Sequence, residues 1–183
     1  MKKKMKQLCC ILTAVILCLS MLTPAYAASS KYNTAVKKYR KYMNGENSPN
    51  KCYKSVDIDG NGVPELLFHT WFDNRVCTYN PKTKRVVCLG IIGCGKGYYL
   101  PIVYSRKTHC VMISSANTGS NIKEIYKING TKAKMVVRAE AFNGKFDSGY
   151  EVNGKKVRKS TYNKMIKKYM KKTVTMKIPQ RIW

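Results

Sequence analysis

Acidic side chains are scarce in this chain: its 183 residues include 9 Asp and Glu against 35 Lys and Arg, and only 2 His. So few carboxylates and imidazoles leave little material for general acid–base catalysis. The carboxylate pair of a glycoside hydrolase would have to come from the acidic segment 57–65, or from Glu124, Glu140 and Glu151, which lie apart in sequence. The sequence therefore predicts a protein without catalytic activity, and an extracellular hydrolase is the less favoured alternative.

No two cysteines are spaced as Cys-x-x-Cys, which argues against a thiolate zinc site or a thioredoxin-type redox motif. If 81–84 forms a four-residue hairpin loop, Asn80 faces Arg85, and counting back along the strands places Cys77 opposite Cys88. Opposed cysteines on neighbouring strands are close enough for a disulfide, so Cys77–Cys88 is the favoured pair. The alternative is that all the thiols are buried or reduced. Five cysteines follow residue 27, an odd number that leaves one outside any internal pair: Cys52, Cys77, Cys88, Cys94 and Cys110.

Long apolar runs are absent except at the start, where "MKKKMKQLCCILTAVILCLSMLTPAYA" has a basic beginning, an apolar stretch and a small-residue end. This pattern is typical of a secretory signal peptide, and an uncleaved anchor is the alternative. We expect cleavage after Ala27, one secreted domain over 28–183, and no transmembrane span after cleavage. The protein is then extracellular, either free or associated with the cell wall.

The positive charge is the strongest compositional feature. Loss of Lys2, Lys3, Lys4 and Lys6 with the signal leaves 31 basic residues against 9 acidic ones, a charge of about +22. Such a field attracts polyanions. We expect anionic cell-wall polymers or acidic glycans as partners and no specific nucleic acid; the alternative is a solvated lysine surface without a particular partner.

Periodicity predicts an α+β fold. Segments 30–45 and 160–172 have apolar residues at helical spacing opposite lysine-rich faces. Between them, "CTYNPKTKRVV", "IYKINGTKAKMVV" and "YEVNGKKVRK" each read as a β-hairpin with a turn at Asn-Pro or Asn-Gly, and "TVTMKI" reads as a last strand. We expect an antiparallel β-meander flanked by N- and C-terminal amphipathic helices.

Three of the acids lie within nine residues, in "DIDGNGVPELLF" at 57–68. An EF-hand loop supplies oxygen ligands from its positions 1, 3, 5 and 7, the last through a carbonyl, and turns at a glycine at position 6. Gly62 is at position 6, as in an EF-hand. Two features differ from an EF-hand: position 12 is Phe68 and not Glu, and the residues after the loop are predicted to form a buried strand and not a helix. The expected Ca²⁺ ligands are therefore Asp57, Asp59, Asn61, the Val63 carbonyl and, at position 9, Glu65.

A metal-free turn is the alternative, because Asp-Gly-Asn-Gly forms turns in which Asx side chains cap the backbone. The calcium interpretation assumes that such a turn needs neither Asp57 nor Glu65. In the metal-free case, the protein is a basic cell-wall or polyanion-binding protein.

The motif Asp-x-Asp-x-Asn-Gly-x-x-Glu resembles the calcium loops of integrin-type and VCBS-like repeat proteins, in which a carboxylate three residues after the glycine completes the site and a strand follows. More broadly, the signal peptide, the loop after a tyrosine-rich helix and "NGKKVRKSTYNKMIKKY" resemble a group of uncharacterised small secreted proteins of Gram-positive gut bacteria. The resemblance implies a structural calcium ion in an exported binding or surface-interaction module.

Overall fold

The structure, a computed structural model, describes residues 30–45, 52–69, 73–94, 101–117, 119–143 and 148–176. The expected signal peptide at 1–27 lies outside these residues. The first helix, α1, covers 30–45, and the second, α2, covers Lys159–Tyr169. The strands are β1 (Cys52–Val56), β2 (Glu65–His69), β3 (Asp73–Asn80), β4 (Arg85–Cys94), β5 (Val103–Ser105), β6 (Cys110–Asn117), β7 (Ser120–Asn129), β8 (Lys132–Asn143), β9 (Ser148–Val152), β10 (Lys155–Val157) and β11 (Val174–Thr175).

All the described strand pairs are antiparallel, and the three hairpins expected from the sequence are confirmed as β3–β4, β7–β8 and β9–β10. Asn80 pairs with Arg85 across the four-residue loop, as the sequence predicts. The strands form two sheets, however, where one meander was expected. The first has the order β1-β2-β3-β4, and the second β10-β9-β8-β7-β6-β5-β11. The α+β class is confirmed.

The two sheets share an apolar core. Side chains alternate between the faces of a strand, so Leu67 of β2 joins the core between the sheets, while Leu66 and Phe68 point to the other face. From the second sheet, Val111 and Ile113 of β6 enter the same core. Each such fully buried aliphatic side chain contributes about 1.5–3 kcal/mol to stability.

The helices pack through the apolar stripes seen in the sequence. In α1, Ala35, Tyr39 and Met43 are spaced four residues apart and are buried with Leu66 and Phe68. In α2, a second stripe packs with Cys110, Ile125, Val137 and Val152 of the second sheet; it consists of Tyr162, Met165, Ile166 and Tyr169. In the described part of the chain, no helix has the length and apolarity needed to cross a membrane.

Candidate metal centre

The acidic loop connects β1 to β2. These strands pair in antiparallel register, with Val56 opposite Glu65, so that residues 57–64 form a hairpin loop. The register returns Glu65 to the place where the loop begins. Directly opposed residues share a face of the sheet, and Val56 belongs to the core between the sheets. Glu65 therefore lies on the inner face, where its side chain is 0 % exposed.

Backbone amides hold the two aspartates. Asp57 accepts hydrogen bonds from the Gly60 N–H to Oδ1 at 2.9 Å and from the Gly62 N–H to Oδ2 at 3.0 Å. Both glycines have positive φ, 76° and 82°, a conformation that glycine adopts without a steric penalty. The chain therefore curls around the Asp57 carboxylate. The assumption that a metal-free turn has no use for Asp57 is wrong, because this carboxylate orders two loop amides.

Asp59 links the loop to the second sheet. Its Oδ2 accepts the Gly130 N–H at 2.6 Å, and Gly130 lies in the turn between β7 and β8. Asp59 also accepts two bonds from Asn61, from its backbone N–H at 3.2 Å and its side-chain amide at 2.9 Å. Between the two aspartates, Ile58 is 1 % exposed and belongs to the core between the sheets. The loop is thus fastened to both sheets.

Glu65 is the least satisfied acid of the group. Its Oε2 accepts the Ile58 N–H at 2.8 Å, but its Oε1 is buried with no hydrogen-bond partner in the described structure. Burial, followed by the nearby charges of Asp59 and Asp57, raises the pKa of Glu65 to about 8. A buried carboxylate without a counter-charge is strongly unfavourable. Glu65 is therefore the position where a cation would have the largest effect.

The geometry of the three acids suits a single ion. One ligand oxygen from each of Asp57, Asp59 and Glu65 lies within 4.8 Å of the other two. Oxygens bound to one Ca²⁺ lie about 2.3–2.6 Å from the ion, so two of them are at most about 5 Å apart. The carboxylates can accept amide bonds and bind an ion together, because each ionised oxygen has two lone pairs. Within the described residues, this is the single group of three His, Cys, Asp or Glu side chains with metal-binding proximity.

Of the other two expected ligands, Asn61 already has a bond within the loop. The Asn61 side-chain oxygen accepts the Val63 N–H at 2.7 Å, and Val63 buries its side chain beside α1. The structure therefore assembles three of the five expected groups, Asp57, Asp59 and Glu65. The roles of Asn61 and of the Val63 carbonyl as ligands stay predictions.

Two contacts to this loop were missed by the sequence analysis. The Asp59 bond to Gly130 spans 71 positions, and the sequence marks Asn129-Gly130 only as a turn. The second is made by Tyr39 of α1, whose buried hydroxyl donates to the carbonyl oxygen of Pro64, next to Glu65. In the sequence, Tyr39 is one apolar position on a helix face, and no local signal distinguishes it from Tyr42.

Cys77 and Cys88 lie opposite each other on β3 and β4, in the register expected from the sequence. Their thiols are hydrogen bonded to each other; this bond and burial together raise the pKa of Cys77. The Tyr42 hydroxyl of α1 lies 3.4 Å from the Cys88 sulfur. The opposed placement is confirmed, and the disulfide stays a prediction. The side chain of Cys94 lies outside the described part of the structure.

Outside the loop, three of the described glutamates lie beside an arginine. The sequence separates Glu124, Glu140 and Glu151, but strands β7, β8 and β9 bring them together on one face of the second sheet. Arg138 Nη1 lies 2.7 Å from Glu124, and its Nη2 lies 4.0 Å from Glu140. Glu140 is in turn paired with Glu151 across β8 and β9. Arg138 thus neutralises part of this acidic group. His69 is buried, with its Nδ1 hydrogen bonded to Asn74.

No family model matches the chain, and neither a curated protein nor a solved structure shows significant similarity to it. Functional inference therefore depends on the geometry of its own residues.

Proposed function

We propose that the protein is an exported, non-catalytic binding or surface-interaction module in which the 57–65 loop binds one structural Ca²⁺. The observation that supports this most directly is the Oε1 atom of Glu65, which is buried, lacks a hydrogen-bond partner and lies near Asp57 and Asp59. Carboxylate oxygens are the ligands that Ca²⁺ prefers. Calorimetric titration of the exported protein with Ca²⁺ tests the proposal, and absence of binding at millimolar Ca²⁺ contradicts it.

The hydrogen bonds from backbone amides to the loop carboxylates also support the proposal. Asp57, Asp59 and Glu65 together accept backbone amides of Gly60, Gly62, Asn61, Gly130 and Ile58. These bonds hold the three carboxylates close together although their charges repel. A preorganised set of ligands reduces the conformational entropy that an ion must overcome. A cation then supplies the positive charge that the loop lacks.

A bound ion stabilises the contact between the sheets. Ile58 extends from the loop into the core between the sheets, and Asp59 bonds to the turn between β7 and β8. Cancelling the repulsion among the three carboxylates stabilises all of these contacts at once. In the proposed arrangement, α1 and α2 flank the β-structure on its N- and C-terminal sides. The ion is structural, and no chemical step involves it.

Removal of the Asp59 carboxylate tests a ligand that also has a role without metal. We expect Asp59→Ala to abolish the rise in melting temperature caused by Ca²⁺, and to destabilise the calcium-free protein as well, because the Gly130 N–H loses its acceptor. The melting temperature, measured by circular dichroism with Ca²⁺ and with chelator, reports both effects.

Asp59→Asn separates the two roles, because the introduced amide keeps an oxygen for the Gly130 N–H but has no charge. We expect this variant to lose the bond from the Asn61 N–H, to be less destabilised without calcium than Asp59→Ala, and to lose most of the calcium response. If Asp59→Ala kept the full shift with Ca²⁺, or if the unsubstituted protein showed none, the site would be refuted.

The calcium response should also depend on pH. Without the ion, the pKa of Glu65 is raised from its ordinary 4.5 to about 8. The stabilising contribution of the protonated group is therefore complete below pH 4.5 and decreases as the pH rises toward 8. Ca²⁺ binds the ionised form and compensates for that loss. We expect the shift in melting temperature at about 10 mM Ca²⁺ to be roughly five or more times as large near pH 8 as near pH 5; a shift that is largest at pH 5 would contradict this assignment.

A further inference from the structure

The turn between β5 and β6 packs against the end of α2. The Ser105 hydroxyl donates to the carbonyl oxygen of Lys171, and the Thr108 hydroxyl donates to that of Tyr169. These bonds satisfy carbonyl groups that the end of a helix leaves without intrahelical partners. They also bring the turn that contains the exposed Arg106 and Lys107 to the C-terminal end of α2, where lysines of α2 and of the residues after it are exposed. We call this surface the basic end: Arg106, Lys107, Lys167, Lys168, Lys171 and Lys172.

Among the described residues, no acidic side chain pairs with the basic end. The chain contains no Asp or Glu at 74–123, which supplies the turn, and none after Glu151, a range that includes α2 and the residues beyond it. In the described part of the chain, none of its six side chains is in an ion pair with a carboxylate, and all six residues are exposed. The carbonyl end of α2 contributes only about half of a negative charge. The positive charge is therefore available to an anion from outside.

This convergence could not be foreseen from the sequence, since about 60 positions separate the turn from the helix end. The lysine face of α2 alone would be typical of a solvated helix. The addition of Arg106 and Lys107 extends it into a surface that spans two elements. Several cations on one surface raise the local concentration of an anionic partner, and each contact with a phosphate releases a counterion.

We propose that the basic end binds a flexible linear polyphosphodiester of the poly(glycerol phosphate) type. Lysine ammonium groups bind phosphate as point charges on flexible stems, which suits a chain whose phosphates have no fixed spacing, and five of the six cations are lysines. Single-stranded nucleic acid is disfavoured because base binding uses exposed aromatic rings, and in the described residues the exposed aromatic side chains, Tyr32 and Tyr53, lie on α1 and β1. This function goes beyond calcium binding and does not depend on it.

A lipid bilayer is a different partner, and the surface argues against it. Interfacial binding needs a large apolar face to enter the acyl region. Near the basic end, the exposed large apolar side chain in the described residues is Val174, while the apolar stripe of α2 packs on the second sheet. A solvated polymer chain requires no such insertion.

The test uses the exported protein and synthetic poly(glycerol phosphate), with affinity measured by calorimetry over a range of NaCl concentrations. Arg106→Gln, Lys107→Gln, Lys168→Gln and Lys171→Gln are combined in one variant. We expect its affinity at low salt to fall by about tenfold or more, and the slope of log K against log salt to decrease by about 3, since each phosphate contact contributes about 0.7–0.9.

The matched control removes four charges from α1, by Lys37→Gln, Lys38→Gln, Arg40→Gln and Lys41→Gln, all at exposed positions. We expect its affinity and salt slope to stay close to those of the unsubstituted protein. Equal losses in the two variants would mean that net charge alone is responsible, and would overturn the proposal. A further variant, Arg106→Lys with Lys168→Arg, keeps the charge and should keep the affinity, which separates loss of charge from loss of folding.

Three other outcomes would also overturn it. The unsubstituted protein could fail to bind poly(glycerol phosphate) at low salt. Duplex DNA of the same total charge could bind more tightly, or vesicles with anionic lipid could do so, which would assign the surface to a nucleic acid or a membrane.

Discussion

Replacement of Glu65 by Gln should stabilise the calcium-free protein and abolish its response to calcium. The substitution removes a buried carboxyl group that must bind a proton to stay uncharged at neutral pH, and the nitrogen of the introduced amide can donate to the nearby Asp57 or Asp59 carboxylate. We expect calcium-free stability at neutral pH to rise by about 1–2 kcal/mol, because folding no longer requires this carboxyl group, whose pKa is raised from 4.5 to about 8, to take up a proton. For a domain of this size that corresponds to about 2–8 °C in melting temperature.

The calcium response of the unsubstituted protein gives the reference for this result. Extracellular calcium modules bind with dissociation constants of about 10⁻⁴–10⁻³ M, so about 10 mM Ca²⁺ should add roughly 1.4–2.7 kcal/mol. In Glu65→Gln this increment should vanish. If Glu65 had only a structural role, its replacement would not both stabilise the calcium-free protein and remove the calcium response. The two effects together therefore identify Glu65 as a ligand.

Glu140→Gln is the control, since Glu140 lies in the Arg138 group away from the loop. It removes one carboxylate while leaving the loop unchanged, and it should retain the full calcium shift. A Glu65→Gln protein that kept its shift would show that Glu65 is not a ligand, and the proposed site would fail with it.

Oxidation of Cys77 and Cys88 is the second change with a large expected effect. The residues are directly opposed, their thiols are in contact, and Cys88 is exposed to solvent. An external disulfide can accept the two electrons and two protons that the thiols lose. The resulting bond closes a loop of about a dozen residues and should add roughly 3 kcal/mol, mainly by restricting the unfolded chain. The oxidised protein should melt about 6–12 °C above the reduced one.

Mass spectrometry of the exported protein, digested without reductant, should find the Cys77 and Cys88 peptides joined. Cys88→Ser should lower the melting temperature in non-reducing buffer and remove its dependence on reductant. Cys110→Ala is the matched control: Cys110 is buried and its thiol donates to the Thr108 carbonyl, so stability should fall while the effect of reductant persists. Joined peptides that involve another cysteine in place of Cys77 or Cys88 would refute the pairing.

Local signals predicted the parts of the fold that local chemistry determines. The Asn-Pro and Asn-Gly turns located the hairpins, and counting outward from the loop at 81–84 gave the Cys77–Cys88 register. Counting along "DIDGNGVPE" likewise selected Asp57, Asp59 and Glu65, which the structure brings together. Each of these predictions depends on residues fewer than about a dozen positions apart.

What sequence could not provide depends on distant contacts. The division of the strands into two sheets is determined by which faces pack together. The sequence around Leu67 and Val111 shows the alternation of a strand, but it does not indicate which sheet each apolar face packs against. The Asp59–Gly130 bond and the convergence of Arg106 with Lys171 have the same origin. The role of Asp57 was misjudged for a different reason: its amide bonds depend on the positive φ values of Gly60 and Gly62, which a residue pattern suggests but does not fix.

The order of the second sheet has a consequence for self-association. Its two outermost strands, β10 and β11, are only three and two residues long, and β10 presents Lys155 and Lys156 to solvent. A sheet margin of this kind offers few open backbone groups to another chain and repels a like-charged copy. The second sheet should therefore resist edge-to-edge pairing with another copy of the chain, most strongly at low salt.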